Sequence, residues 1–166
     1  MTKADEVTRI LQEWSQSRPD LDFSPLAVFS RLHRVAKQLN RARGAAFEDA
    51  GLELWEFDVL AVLRRAGAPH RVSTKVLVSE TMVTSGTMTN RIDRMVRRGL
   101  VVRTQNPDDG RGVLVEMTAT GRDLVDRAVE NLTAAEAALL SGMTRAERDR
   151  LATLLTKLSV VVSANE

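Results

Sequence analysis

Residues Thr84 to Thr118 read TSGTMTNRIDRMVRRGLVVRTQNPDDGRGVLVEMT, and their pattern changes period halfway along. At 3.6 residues per turn, Met88, Ile92, Met95 and Val96 line one apolar stripe of a helix, while Gly86, Thr87, Asn90, Arg94 and Arg97 point the opposite way. Gly99 stands where a left-handed residue ends a helix, with Leu100 as its apolar follower. Leu100–Gln105 and Val113–Thr118 are then rich in β-branched and aliphatic residues. Asn106–Gly112 between them supplies the turn-formers Asn, Pro, Asp and Gly. The stretch predicts a helix over about 84–98 followed at once by a β-hairpin over about 100–118, the layout of a winged helix-turn-helix.

The outward residues of that helix suit a DNA groove. Arginine forks onto guanine, asparagine onto adenine, and threonine meets a thymine methyl, while glycine lets the backbone approach a phosphate. Ser85, Gly86, Thr87, Thr89, Asn90, Arg94 and Arg97 are therefore the candidate DNA contacts. Arg111 joins them at the hairpin tip, where it either enters a minor groove or pairs with Asp108 or Asp109 to shape the loop.

Composition agrees with this reading. The 166 residues are 43% apolar, within the range of one domain with a real core. Nothing in the sequence approaches the roughly 20 apolar residues of a membrane span, and no signal peptide is read at the start. A cytoplasmic protein is expected. Cysteine is absent, which removes disulfide and thiolate chemistry, and the two histidines are far apart. Neither a metal site, a cofactor nor a catalytic constellation is expected. Net charge is only +2, but its distribution is uneven. Residues 1–22 carry 3 basic against 5 acidic side chains, residues 23–111 carry 15 against 9, and residues 112–166 carry 6 against 8. A basic centre between acidic ends fits a polyanion-binding core flanked by arms with another task.

Working outward, Val7, Ile10, Leu11 and Trp14 mark an N-terminal helix from about Asp5 to Gln16. After a break over Ser17–Phe23, Ser24 as cap and Pro25 in the first turn open a long helix that Gly51 ends. Glu53–Arg65 follows, with Leu54, Phe57, Val59, Leu60 and Leu63 as core positions. Ala68–Val72 reads as a loop, and Ser73 caps a short helix ending near Ser79, the first half of the helix-turn-helix. Beyond the wing, Ala119–Leu140 is helical. Thr144 and Glu147 form a capping box for a last helix with Leu151, Leu154, Leu155, Leu158 and Val161 along one side. The expected organisation is thus a mainly α fold with a small β-hairpin. It comprises an N-terminal helix and linker (1–24), a winged helix-turn-helix core (25–118) and C-terminal helices (119–166) whose surplus apolar surface suggests dimerisation. A two-fold dimer would place two recognition helices about 34–36 Å apart on a near-palindromic site.

The order of elements resembles the MarR transcriptional regulators. The segment NPDDGRGVLVEMTATG is similar to their wing signature, D-x-R-x-x-x-V-x-L-T-x-x-G, with Asp109, Arg111, Val115, Thr118 and Gly121 in place. Met117 stands where leucine is usual, a volume-conserving change. The strings EWSQSRPDLD, FDVLAVLRRAGAPHR and TSGTMTNRIDRMVRRGLVVR further resemble the urate-responsive branch, which carries an added N-terminal helix. That resemblance implies an anion pocket built from Trp14, Asp58, Arg91 and Arg103. It also implies a repressor whose partners are double-stranded DNA, a second copy of the chain and a small anion such as urate. On the helical wheel Arg91 lies on the flank of the apolar stripe, and Asp58 interrupts an apolar run where an ionised carboxylate needs a partner such as Arg91 or Arg103.

Several residues keep a plainer reading. Trp14 also fits an ordinary core position, Asp58 and Arg91 also fit a structural ion pair, and Trp55 fits core or interface. A citrate-like polycarboxylate or an aromatic carboxylate would suit the same cationic pocket. A winged helix serving protein assembly without DNA is the rival from another class.

Overall fold

The computed structural model describes residues 5–105 and 113–164. They fall into two compact units, residues 1–42 and 43–166.

The first unit holds α1 (Glu6–Ser17) and most of α2 (Ser24–Asp49). Asp5 caps α1, its carboxylate accepting the Thr8 N–H at 2.8 Å. The same carboxylate receives the Arg31 guanidinium at 2.7 and 3.0 Å, and Glu6 receives Arg34. Together the Arg31 and Thr8 hydrogen bonds hold the Asp5 carboxyl down at about 2. Ser24 is itself the first helical residue of α2 and not its cap; Asp22 instead accepts both the Ser24 N–H and its hydroxyl. On α2, Leu26, Phe29, Leu32 and Val35 are exposed.

The second unit is built on α3 (Leu54–Arg65), whose Phe57, Val59, Leu60 and Leu63 are buried. Leu54, the first residue of α3 and expected in the core, is exposed. The segment expected to be a loop contains β1 (Arg71–Ser73), which pairs antiparallel with β3 (Val113–Met117) at Val72 and Val115. Three residues are too few to show a period of two, so only the partner strand defines this one. Ser73 caps α4 (Thr74–Thr81), accepting the Val76 N–H, and Met82 closes that helix in the left-handed region at φ 52°. Then come α5 (Ser85–Arg97) and β2 (Val101–Gln105), which pairs with β3 from Val101 opposite Met117 to Gln105 opposite Val113. The sheet order is β1-β3-β2.

Each junction has a local cause. Thr84 caps α5. At its other end Gly99 adopts φ +68°, and the Leu100 N–H reaches back to the Met95 carbonyl at 2.9 Å, the backbone reversal that only a residue tolerant of positive φ permits cheaply. Thr118 accepts the Gly121 N–H at 3.0 Å, and its hydroxyl lies within reach of the Gly99 and Leu100 carbonyls. A Cβ on Gly121 would stand 2.2 Å from the Leu100 carbonyl oxygen, so the glycine of the wing signature is what lets α6 (Ala119–Leu139) close on the end of α5. The capping box of α7 (Arg145–Ser163) is present as read, through Thr144 and Glu147.

The core gathers Phe47, Leu60, Leu63, Leu77, Met88, Ile92, Met95, Leu100, Val115 and Val125. Met88, Ile92 and Met95 form the buried stripe predicted for α5; Val96, placed with them on the wheel, is exposed at its edge. No residue of α7 is buried, and Leu151, Leu154, Leu155 and Val161 all lie open. Among the described residues no helix is long and apolar enough to cross a membrane.

Candidate nucleic-acid interface

The side of α5 opposite the core stripe is polar and open. Ser85, Gly86, Thr87, Thr89, Asn90, Arg94 and Arg97 are all exposed. A Cβ at Gly86 would meet nothing, so this point of the helix has clear space for another molecule's backbone. Two of the threonines are occupied locally: the Thr87 hydroxyl pairs with that of Thr84 at 2.9 Å, and Thr89 donates to the Ser85 carbonyl at 3.0 Å. Asn90 and Arg97 have no partner among the described residues, and together with Asp93, Arg94 and Val96 they line a shallow depression along the helix. Arg111 lies outside the described residues.

The flank of α5 that faces α3 is different, because every arginine on it meets a partner. Arg94 donates to Glu53 at 2.8 Å and lies over the Trp55 ring, 4.7 Å from its centroid. Glu53 also accepts the Trp55 indole N–H, so the three side chains close on one another. Arg91 sits over the same ring at 5.7 Å. Arg98 pairs with Glu56, which is fully buried and also accepts the Glu53 N–H at 3.0 Å, while a second arm of Arg98 reaches the Gly51 carbonyl at 2.8 Å. An exposed ion pair contributes at most about 1 kcal/mol and an exposed cation–π contact about 0.5–1 kcal/mol. The exposed contacts of Arg94 and Arg91 therefore fix where those guanidinium groups sit more than they stabilise the fold.

Two residues read as one pocket are engaged differently. Asp58 makes no direct ion pair with Arg103. Burial pushes its carboxyl upward, opposed by the nearby charges of Arg91 and Arg43. Arg103 instead pairs with Asp93 at 2.7 Å, tying strand β2 to α5 at a position about 160° around the helix from Arg91. Trp14, within the first unit, packs against Phe23 with ring centroids 5.9 Å apart and is half exposed. The aromatic ring beside Arg91 is Trp55. Glu53 and Arg43 escaped the sequence reading, which gave Trp55 as core or interface; the local hint was two glutamates three apart at a helix start, Glu53 and Glu56, which reads as a cap and says nothing of Arg94 or Arg98.

A capped, glycine-ended helix with an open polar face, a preceding short helix and an adjoining β-sheet define a winged helix-turn-helix transcriptional regulator that binds DNA. Residues 50–112 match the model of the MarR family. The HTH-type transcriptional regulator PecS of Dickeya dadantii is 36% identical over 158 residues, spanning 95% of each chain. The multiple antibiotic resistance protein MarR of Escherichia coli is 33% identical over 138 residues, 75% of this chain and 93% of that one. A mutant of the E. coli MarR solved in complex with operator DNA superimposes with a TM-score of 0.68 at 28% identity, covering 82% of this chain and 96% of the other. The chain belongs to the MarR family.

Proposed function

We propose that this regulator is a repressor that binds a pseudo-palindromic operator as a homodimer and is released by a small planar anion such as urate. The observation that carries the DNA-reading half is the open face of α5. Asn90 and Arg97 have no partner among the described residues, Gly86 leaves room for a backbone, and Arg94 is oriented at the edge of that face. Ser85, Thr87 and Thr89 complete the contact surface, with Arg111 of the wing as the minor-groove element. Support for the dimer comes from the C-terminal arm, since an amphipathic helix with Leu151, Leu154, Leu155 and Val161 exposed requires a covering surface, and a second copy supplies one by symmetry.

The anion-sensing half rests on the surroundings of Arg91. A cation beside a carboxylate already disfavoured in its charged form, and against an indole face, suits a planar anion that takes charge-assisted hydrogen bonds. Arg103 belongs to this pocket by the resemblance to the urate-responsive branch, and it must release Asp93 to join it. Negative charge arriving beside Asp58 repels it, and the strain passes through Arg91 into α5. To turn a 99:1 operator-competent population into 1:99, the anion must prefer the displaced form by about 5.5 kcal/mol.

The test is a fluorescence-anisotropy titration of a labelled duplex selected by the protein from randomised DNA. Sub-micromolar binding that weakens steeply with salt, and release by millimolar urate, support the reading. Binding without salt dependence would reject the DNA-reading face. Release by citrate or salicylate but not by urate would reassign the effector.

A further inference from the structure

We infer that Glu53 and Trp55 are specificity-determining positioning residues, which preset the Arg94 guanidinium for a base edge and keep it off the phosphates. The inference rests on the reading of Arg94 as a DNA contact and goes beyond it.

An unrestrained arginine on an exposed helix is a poor discriminator. Its long side chain samples many rotamers, and the strongest attraction near any duplex is the sequence-independent one to phosphate. Arg94 is not unrestrained. Its Nη2 donates to Glu53 Oε1 at 2.8 Å, and its Cζ lies 4.7 Å from the Trp55 ring centroid. The other Glu53 oxygen is held by the Trp55 indole N–H, so the carboxylate that steers Arg94 is itself steered. Of the five N–H donors on a guanidinium, the ion pair uses one, which leaves donors for the bidentate pattern that guanine O6 and N7 accept.

Glu53 has a second effect. Both its side chain and that of Arg94 remain about half exposed, so the carboxylate stands at the same surface as the guanidinium. A carboxylate there partly neutralises Arg94 towards any phosphate and repels the phosphate directly, a penalty paid alike on every sequence. A base edge carries no net charge and escapes most of that penalty. Arg97, one turn along, makes the contrast: with no partner among the described residues, it keeps its full charge for the backbone. One helix thus carries a preset reader and, on its outer side, an anchor with no partner among the described residues.

The test compares the parent with Glu53→Gln, Trp55→Leu, Arg94→Ala and the double variant Glu53→Gln/Arg94→Ala. Each is used to select from a pool of randomised duplexes, and each is then titrated with the parent's best duplex and with a scrambled one. Circular dichroism and thermal melting establish that each variant is folded. Arg94→Ala is expected to lose about tenfold or more on the best duplex and to relax preference at one base pair per half-site. Glu53→Gln is expected to relax the same base pair while binding the scrambled duplex as well as the parent or several-fold better, with a steeper salt dependence. Trp55→Leu is expected to relax it too, and Glu53→Gln is expected to have no effect on base preference once Arg94 is alanine. Unchanged preference in Glu53→Gln and Trp55→Leu, with Arg94→Ala still relaxed, overturns this inference alone. Unchanged preference in Arg94→Ala overturns the reading beneath it. Parallel weakening on both duplexes in Glu53→Gln assigns Glu53 a purely structural role and also overturns the inference.

Discussion

The two exposed sides of α5 differ in one respect that organises the rest. Towards α3, Arg91, Arg94 and Arg98 each meet an aromatic ring or a carboxylate; on the outer side Asn90 and Arg97 meet nothing among the described residues. Side chains that are already satisfied are placed, and side chains that are not are available. Both sets are carried by one helix, which the buried stripe of Met88, Ile92 and Met95 anchors in the core.

Substitutions separate these sides by the size and kind of effect. Ile92→Ala, on the fully buried stripe, is expected to cost about 2–5 kcal/mol of stability in chemical denaturation, and to abolish DNA binding only through unfolding. Asn90→Ala is expected to leave the melting curve in place and cost about 1–3 kcal/mol of operator binding, with relaxed preference at the base pair it reads. Should Asn90→Ala bind operator and random duplex in the parent's ratio, the outer side is not the reading side. Arg97→Ala is expected to weaken all duplexes alike and lower the slope of log affinity against log salt by about one ion. The smallest effect belongs to Asp58. Its folded carboxyl is raised by burial, so the native state holds its proton above the ordinary carboxylate range, and charging it at neutral pH opposes folding. Asp58→Asn is therefore expected to melt slightly higher than the parent at pH 7, the advantage shrinking as pH falls through the raised value towards the ordinary 3.8. A lower melting temperature at pH 7 would instead mean that the Arg91 and Arg43 charges outweigh the desolvation.

Much of this was legible in the residues. The recognition helix lies one residue inside its expected bounds at each end, because Thr84 and Gly99 are local signals that need no knowledge of the rest of the chain. The wing strands and the Thr144 box follow for the same reason. Strand β1 was not legible: three residues acquire their identity from β3, more than 40 positions away. Leu54 and Val96 satisfy a helical period yet lie exposed, since a period defines a face but not how far the neighbouring elements extend over it. The pairing of Arg94 with Glu53, 41 residues earlier, is likewise a product of packing. The residue types of the proposed anion pocket could be listed from the sequence; their partners could not, and Arg103 is joined to Asp93.

Arg91 is proposed to sense while Asn90 and Arg94 read, and the most direct measurement is urate titrated into the protein–operator complex for the parent and for Arg91→Ala, followed by anisotropy. The account predicts that both proteins bind the duplex and that urate releases the parent at least tenfold more readily than the variant. Equal release of the two, or parent complex intact at millimolar urate, would contradict it.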